Sequence, residues 1–266
     1  MGLKKTTLSL DKNKEDLLKR QGYLVTEAND LAKAFGNLTL NEQRILDFCV
    51  SFVRADSKPD EYYHCHILDI LRHYGWIAND KKQEYKASGR SYKRVADAFS
   101  SFEKKDSLRI LDKQGRVHLT HLFADIIQDK KGKISFQFSS PVTDLLVGLK
   151  EKYFDFHLWE VEKIKSKYTY IMYKLWKSYR TDRRNNHAYI SAPLDQWEHW
   201  FLGNNQQGRP RYLPAFRFKD KVLNRAKREI ENKIQVWVEI ENQTRGRKIV
   251  GYNIIFHDED EPRHLN

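Results

Sequence analysis

Two groups of side chains in this sequence are spaced for chemistry. In the first, Arg217, Lys221, Asn224 and Arg228 follow one another at helical intervals. At ~100° per residue they fall within roughly 40° of one line, while Val222, Leu223, Ala226 and Ile230 fill the opposite arc. One face packs; the other presents cations and an amide. An arginine so placed can bond guanine O6 and N7 together, and an asparagine adenine N6 and N7, each for ~1–3 kcal/mol of discrimination. Lys219, Arg225 and Lys227 lie nearer the flanks and suit phosphate. In the second group, His64 and His66 bracket Cys65, so on a strand both imidazoles point to one side, as a metal pair requires. Tyr170, with Lys174 four positions on, offers a nucleophile that would attack a scissile phosphate. Both patterns are short. His66 runs straight into Ile67-Leu68-Asp69-Ile70-Leu71, which continues as core, and Tyr170 lies beside Ile171 on a helix needed for packing.

The elements that must position the first group can be read around it. After Lys233 the period changes from helical to alternating: Ile234, Val236, Val238 and Ile240 share one side of a strand, and Tyr252, Ile254 and Phe256 one side of a second. Between them Asn242–Lys248 is a polar turn carrying Arg245, Arg247 and Lys248, with Gly246 to let it bend. A cationic helix leading into a hairpin with a cationic tip is the layout of a winged helix, whose helix enters a DNA major groove and whose wing touches the backbone. The three wing cations are accordingly expected at phosphate or in a minor groove. Upstream, Ser166–Tyr179 reads as a helix with Tyr168, Ile171, Met172, Leu175 and Tyr179 inward. Tyr189–Ile190 reads as a short strand and Pro193–Phe201 as a small helix. That is the order a winged helix needs.

The first half repeats this order without a repeat of residues. Thr39 and Glu42 form a capping box for a helix with Ile45, Leu46, Cys49, Val50 and Val53 on its apolar stripe. Tyr62–Ile67 is a short strand feeding a helix through Leu68, Ile70, Leu71 and Tyr74. Ser88–Lys105 is a helix with Tyr92, Val95, Phe99 and Phe102 inward, and strand-like pieces follow at Leu108–Asp112, Val117–Leu122 and Ile134–Phe138. Arg90, Lys93 and Arg94, with Lys104, are the DNA candidates here, diluted by Asp97 and Glu103. Val142–Lys150 reads as a bridging helix and Tyr153–Phe156 as an apolar patch. The expected class is α+β: two tandem winged-helix domains, mainly helical with hairpin wings. Domain one takes residues 23–142 and domain two 143–257, between a mobile tail at 1–22 and an acidic tail at 258–266.

Composition narrows the partners. The 266 residues carry a formal charge of +12 with pI ≈ 9.5, spread along helices, which suits a polyanion. Cys49 and Cys65 are the only cysteines, so no disulfide framework is implied, and their spacing offers no four-ligand zinc site. The lysine-rich start has no apolar core of a secretory signal and no window approaches a membrane span, which makes a cytoplasmic setting the expectation. No Gly-x-x-x-x-Gly-Lys-Ser/Thr loop occurs, so an ATP-driven motor is not expected. Neither is a catalytic centre, a metal or a cofactor. If duplex is opened, the free energy must come from binding, bending and supercoiling.

Several segments together resemble a known family. Asn29–Leu31 with Leu38–Leu46, then Ile164–Leu175, then Phe216–Lys233, then Gly246–Phe256, are similar in order to the Rep_3 replication initiators of iteron-containing theta plasmids. The resemblance implies two winged-helix domains, the second the main sequence reader. It implies a monomer that binds direct repeats of origin DNA through both domains and helps open the duplex. It also implies a dimer through domain one that represses its own gene at an operator inverted repeat, recruitment of the host initiator and replicative helicase in the bacterial cytoplasm, and plasmid copy number control. Two alternatives stay open on the residues alone: a rolling-circle nicking initiator using His64, His66 and Tyr170, and a tandem winged-helix repressor.

Overall fold

The computed structural model describes residues 24–28, 35–54, 56–76, 89–104, 108–111, 117–147, 153–180, 187–205 and 209–257. The expected tails at 1–22 and 258–266 lie outside them. Two units divide the chain. Of the described residues, those within Arg44–Leu149 and Asp155–Glu162, with the start of the first strand, make one unit. Those within Glu27–Gln43, Lys150–Phe154 and from Lys163 onward make the other. Strand β1 (Leu24–Ala28) pairs with β7 (Tyr153–His157), the segment read from sequence as an apolar patch.

Helix α1 (Leu40–Val50), which belongs to unit one from Arg44 on, starts at the capping box: Thr39 N donates to Glu42 Oε2 at 2.6 Å and Glu42 N to Thr39 Oγ1 at 3.3 Å. Ile45, Leu46, Phe48, Cys49 and Val50 are buried. The helix ends at Val50, so Val53, expected on the same stripe, lies beyond it. Strand β2 (Tyr63–His66) passes into α2 (Ile67–His73) through His66, which caps that helix. Helix α3 (Arg90–Lys104) precedes two hairpins, β3 (Leu108–Leu111) with β4 (Val117–Thr120), and β5 (Phe123–Gln128) with β6 (Lys133–Phe138). Strand β5 was not foreseen, and it completes the antiparallel sheet β2-β6-β5. Between this sheet and α3 lies an aromatic core of Tyr63, Phe99, Phe102, Phe123, Phe136 and Phe138, all buried, with Phe123 and Phe138 stacked at 5.0 Å. Each such ring contributes roughly 1.5–3 kcal/mol by leaving water. Of the bridging helix expected at 142–150, residues 148–150 lie outside the described residues; over the described part a single turn α4 (Ser140–Thr143) forms, with Pro141 in its first turn, where a missing N–H costs nothing. A second short helix, α5 (Leu158–Val161), follows β7.

Unit two carries α6 (Lys167–Tyr179), capped by Ser166 Oγ, which accepts from Tyr168 N at 3.2 Å. Strand β8 (Ala188–Pro193) follows, alternately buried and exposed along its length, and leads into α7 (Leu194–Leu202). Next comes α8, helical from Ala215 to Lys233, and then the hairpin of β9 (Val238–Arg245) and β10 (Lys248–Phe256). The sheet order is β8-β10-β9, antiparallel throughout. Tyr252, Ile254 and Phe256 fall on the buried face, as their alternation predicts. The other strand starts later than expected. Ile234 closes the helix as its C-cap and Gln235 turns the chain with φ 62°, so pairing begins only at Val238. Trp197 and Phe201 of α7, Phe218 of α8 and Tyr252 of β10 close the core, with Trp197 Nε1 donating to Tyr252 O at 3.0 Å.

Candidate nucleic-acid interface

Helix α8 is not one uniform spiral. Ala215–Phe218 and Asn224–Lys233 are α-helical, and Lys219–Leu223 between them is a π turn in which the Asn224 N–H reaches back to Lys219 O. A π turn takes in one extra residue and so rephases the side chains on either side of it. Phe218, Val222, Leu223, Ala226 and Ile230 all point inward and are fully buried. On the outer side Arg217, Lys221, Arg225 and Arg228 are exposed, whereas Asn224 and Lys227 are half-buried. The exposed series thus takes in Arg225, read from sequence as a flank residue. Asn224 contributes its carbonyl to Arg228 Nε at 3.2 Å. Lys221 lies 3.1 Å from Asp220, both well exposed, and Lys227 pairs with Glu231 at 3.6 Å.

Four bonds or clusters of bonds fix this helix to the rest of its unit. At its start, Glu198 Oε1 of α7 accepts from Leu213 N at 2.8 Å and the Tyr252 hydroxyl of β10 donates to Ala215 O at 2.7 Å. Burial, with the Glu198 charge nearby, pushes the Tyr252 phenol up to about 12, so it stays a donor at neutral pH. In the π turn, Lys219 Nζ donates to Ile240 O at 3.2 Å and Asn242 Oδ1 at 2.7 Å, tying the helix to the hairpin. Burial and the nearby Lys227 charge lower its pKa. Lys219, a phosphate candidate by sequence, is half-buried and spends its ammonium on the hairpin. Near the helix end, Glu229 faces the first turn of α6. Its Oε1 accepts from Lys165 N at 2.7 Å and Lys233 Nζ at 2.8 Å, and its Oε2 from Ser166 N at 3.1 Å and Thr169 Oγ1 at 2.7 Å. Burial pushes that carboxyl up, but the bonds from Lys233, Thr169 and Lys165 outweigh it and hold the pKa below the ordinary glutamate value. Last, Glu231 Oε1 accepts from Val238 N at 3.2 Å, where the chain enters β9.

The wing projects beyond this frame. Arg245 pairs with Lys248, leaving a two-residue turn of Gly246 and Arg247 with φ 62° at Gly246, the first central residue. That is the type II′ pattern, which glycine adopts without strain. Arg245, Arg247 and Lys248 are all exposed. Below the tip the register shifts between Ile249 and Gly251, where an added Cβ would meet Gln243 Oε1 at 2.4 Å and Ala192 O at 2.5 Å. A glycine is needed there for the sheet to close on β8.

In unit one, Arg90, Lys93 and Arg94 are exposed on α3, with the Arg94 guanidinium 5.0 Å from the Trp76 ring centre. The Lys104 side chain lies outside the described residues. The nicking group looks different in three dimensions. His66 is spent on structure, its Nδ1 taking the Leu68 N–H at 3.1 Å and its Nε2 lying 2.8 Å from Lys131 O. His64 Nδ1 sits 2.8 Å from Ser135 Oγ, and Tyr170 and Lys174 are fully buried in unit two. Among the described residues no cluster of three or more His, Cys, Asp or Glu could hold a metal, and no helix is long and apolar enough to cross a membrane.

Sequence reasoning did not single out the π turn, the bonding of Lys219 to the hairpin or the anchoring role of Glu229. It also passed over the exposed aromatics Tyr212 and Phe216, although Phe216 and Phe218, two apart on a helix, cannot both face a core.

Comparison with known proteins agrees with this architecture. Residues 24–177 match the family model for the first winged-helix domain of initiator replication proteins, described as "Initiator Replication protein, WH1", and residues 195–256 match "Initiator Rep protein, WH2". A similar solved structure is "Crystal structure of Pi initiator protein in complex with iteron DNA". The TM-score is 0.68 at 19% identity, with 91% of this chain and 99% of that chain covered. No curated protein sequence gives a match. Both family segments fall in order along the chain, over two sheets each led by helices, and the chain belongs to the initiator replication protein family with two winged-helix domains, WH1 and WH2.

Proposed function

We propose that this initiator binds direct repeats of origin DNA as a duplex, with α8 in the major groove and the β9–β10 wing on the adjacent backbone. The observation that carries the reading is the division of α8 into two sides. One side is buried and anchored at both ends, and the other offers Arg217, Lys221, Arg225 and Arg228 to solvent beside a hairpin tipped by three cations. A rigid helix that presents cations without ordering cost is what base and phosphate contacts require. The structurally similar Pi initiator protein was crystallised with iteron DNA, which supports the same class of ligand here. Arg90, Lys93 and Arg94 of the first domain supply auxiliary phosphate contacts. Origin opening, recruitment of the host initiator and replicative helicase, and repression of the protein's own gene by a dimer complete the proposal. No catalytic step is needed, and the inward placement of Tyr170 takes away the nucleophile on which the nicking alternative rests.

The test is binding to one origin repeat and to a scrambled duplex of equal length, for the wild type, Arg217→Ala and Arg228→Ala. Loss of a base contact weakens repeat binding by about 5- to 150-fold, the equivalent of ~1–3 kcal/mol, and leaves the scrambled duplex less affected. An equal fall on both duplexes would assign these arginines to phosphate. A wild type that does not prefer the repeat would refute sequence-specific binding.

A further inference from the structure

Phe216 is 78% exposed, the most exposed large apolar side chain among the described residues. It lies on the first turn of α8, two residues before Phe218, which is fully buried. At ~100° per residue the two rings point nearly opposite ways, so Phe216 faces directly away from the core. Its surroundings in sequence are cationic: Arg211 before it, Arg217 and Lys221 after it, all exposed. An apolar ring in the midst of a polyanion-binding face cannot contribute a hydrogen bond or a charge. In a major groove the apolar feature available to it is the C5-methyl group of thymine.

We infer that Phe216 is a specificity-determining residue that packs on a thymine methyl group at one end of the site read by α8. The inference rests on the proposed placement of α8 in the major groove and goes beyond it. The cations position the helix and discriminate through polar edges, while Phe216 selects thymine over cytosine or uracil at a given step by burying a methyl group. Because the ring already stands clear of the fold, its removal leaves the core unchanged.

The experiment uses the full chain and the repeat protected in a footprint, with each thymine replaced in turn by 2′-deoxyuridine, which deletes the methyl and leaves every base-pairing and groove hydrogen-bonding group in place. Binding is read by fluorescence anisotropy for the wild type, Phe216→Ala and Phe216→Leu, after thermal melts show that the variants fold alike. Removing the contacted methyl is expected to weaken the wild type ~3–5-fold at one or two positions, the scale set by one buried carbon. At those positions Phe216→Ala binds thymine and deoxyuridine equally, and Phe216→Leu retains part of the difference. If the wild type shows no such position, or the alanine variant keeps the same loss, the methyl contact is refuted while sequence-specific binding stands. If the wild type fails to prefer the repeat over scrambled duplex, the placement of α8 falls, and the inference with it.

Discussion

Replacing Glu229 by glutamine isolates the link that holds the reading helix against α6. The carboxylate accepts four bonds, two at each oxygen, with lengths from 2.7 to 3.1 Å. Glutamine keeps one oxygen but turns an NH2 toward the other pair of donors, so two N–H or O–H groups lose their acceptor. The side chain is only 14% exposed, so water restores little of this. At ~1–3 kcal/mol for each donor left without a partner, and with the 29% exposed Lys233 ammonium able to turn to water, the expected loss is about 2–4 kcal/mol. Four of the six tryptophans, Trp176, Trp197, Trp200 and Trp237, lie in unit two, so fluorescence follows its unfolding. With a urea slope of ~2 kcal/mol per molar, the midpoint should fall by ~1–2 M at pH 7. The pH dependence has a definite sign. The folded carboxyl titrates below its unfolded value, so its stabilisation is full above ~4.3 and is lost as pH falls through the folded pKa. The gap between wild type and variant should therefore close in acid. A midpoint shift under ~0.3 M, or a gap that stays constant into acid, would refute the assignment of Glu229 as a charged anchor.

Other substitutions separate anchoring from presentation. Lys219→Met removes two bonds to the hairpin and should cost about 1–3 kcal/mol in the same urea assay, whereas Lys221→Met, which removes an exposed charge, should stay within ~0.5 kcal/mol of wild type. Arg247→Ala should lower the slope of log affinity against log salt by ~0.9, the signature of one lost phosphate contact; an unchanged slope takes the wing tip out of the interface. Gln235→Gly relieves a left-handed backbone at the end of α8 and should stabilise unit two by ~0.5–1 kcal/mol, seen as a higher urea midpoint.

What could be read from the chain depended on whether a period held. The inward side of α8 was legible because Val222 and Leu223, the last two residues of the π turn, run into the α-helical stretch that carries Ala226 and Ile230. Its outward side was less so, since a wheel drawn at a constant 3.6 residues per turn cannot anticipate one extra residue. The Tyr252, Ile254, Phe256 alternation marked β10 correctly. Ile234 and Val236 show the same alternation, yet Ile234 caps the helix and Val236 is buried ahead of β9. Strand β5 escaped notice because it does not alternate: Asp125 and Ile126 are both half-buried, and Ile127 is exposed. Lys219 reads as one more surface cation, and only the fold brings Ile240 O and Asn242 to it. The His64–His66 spacing is real on β2, but the capping demand of α2 uses the second imidazole.

The central claim is repeat binding by an initiator that makes no covalent cut. The most direct measurement is a nuclease footprint of the full chain on supercoiled DNA flanking its gene, with divalent metal present and an undigested lane alongside. Evenly spaced protected blocks over direct repeats, with the undigested DNA still supercoiled, are the predicted result. A site-specific nick that leaves protein on the 5′ end would contradict it, and attachment at Tyr170 would require that residue to leave the core in which the structure buries it.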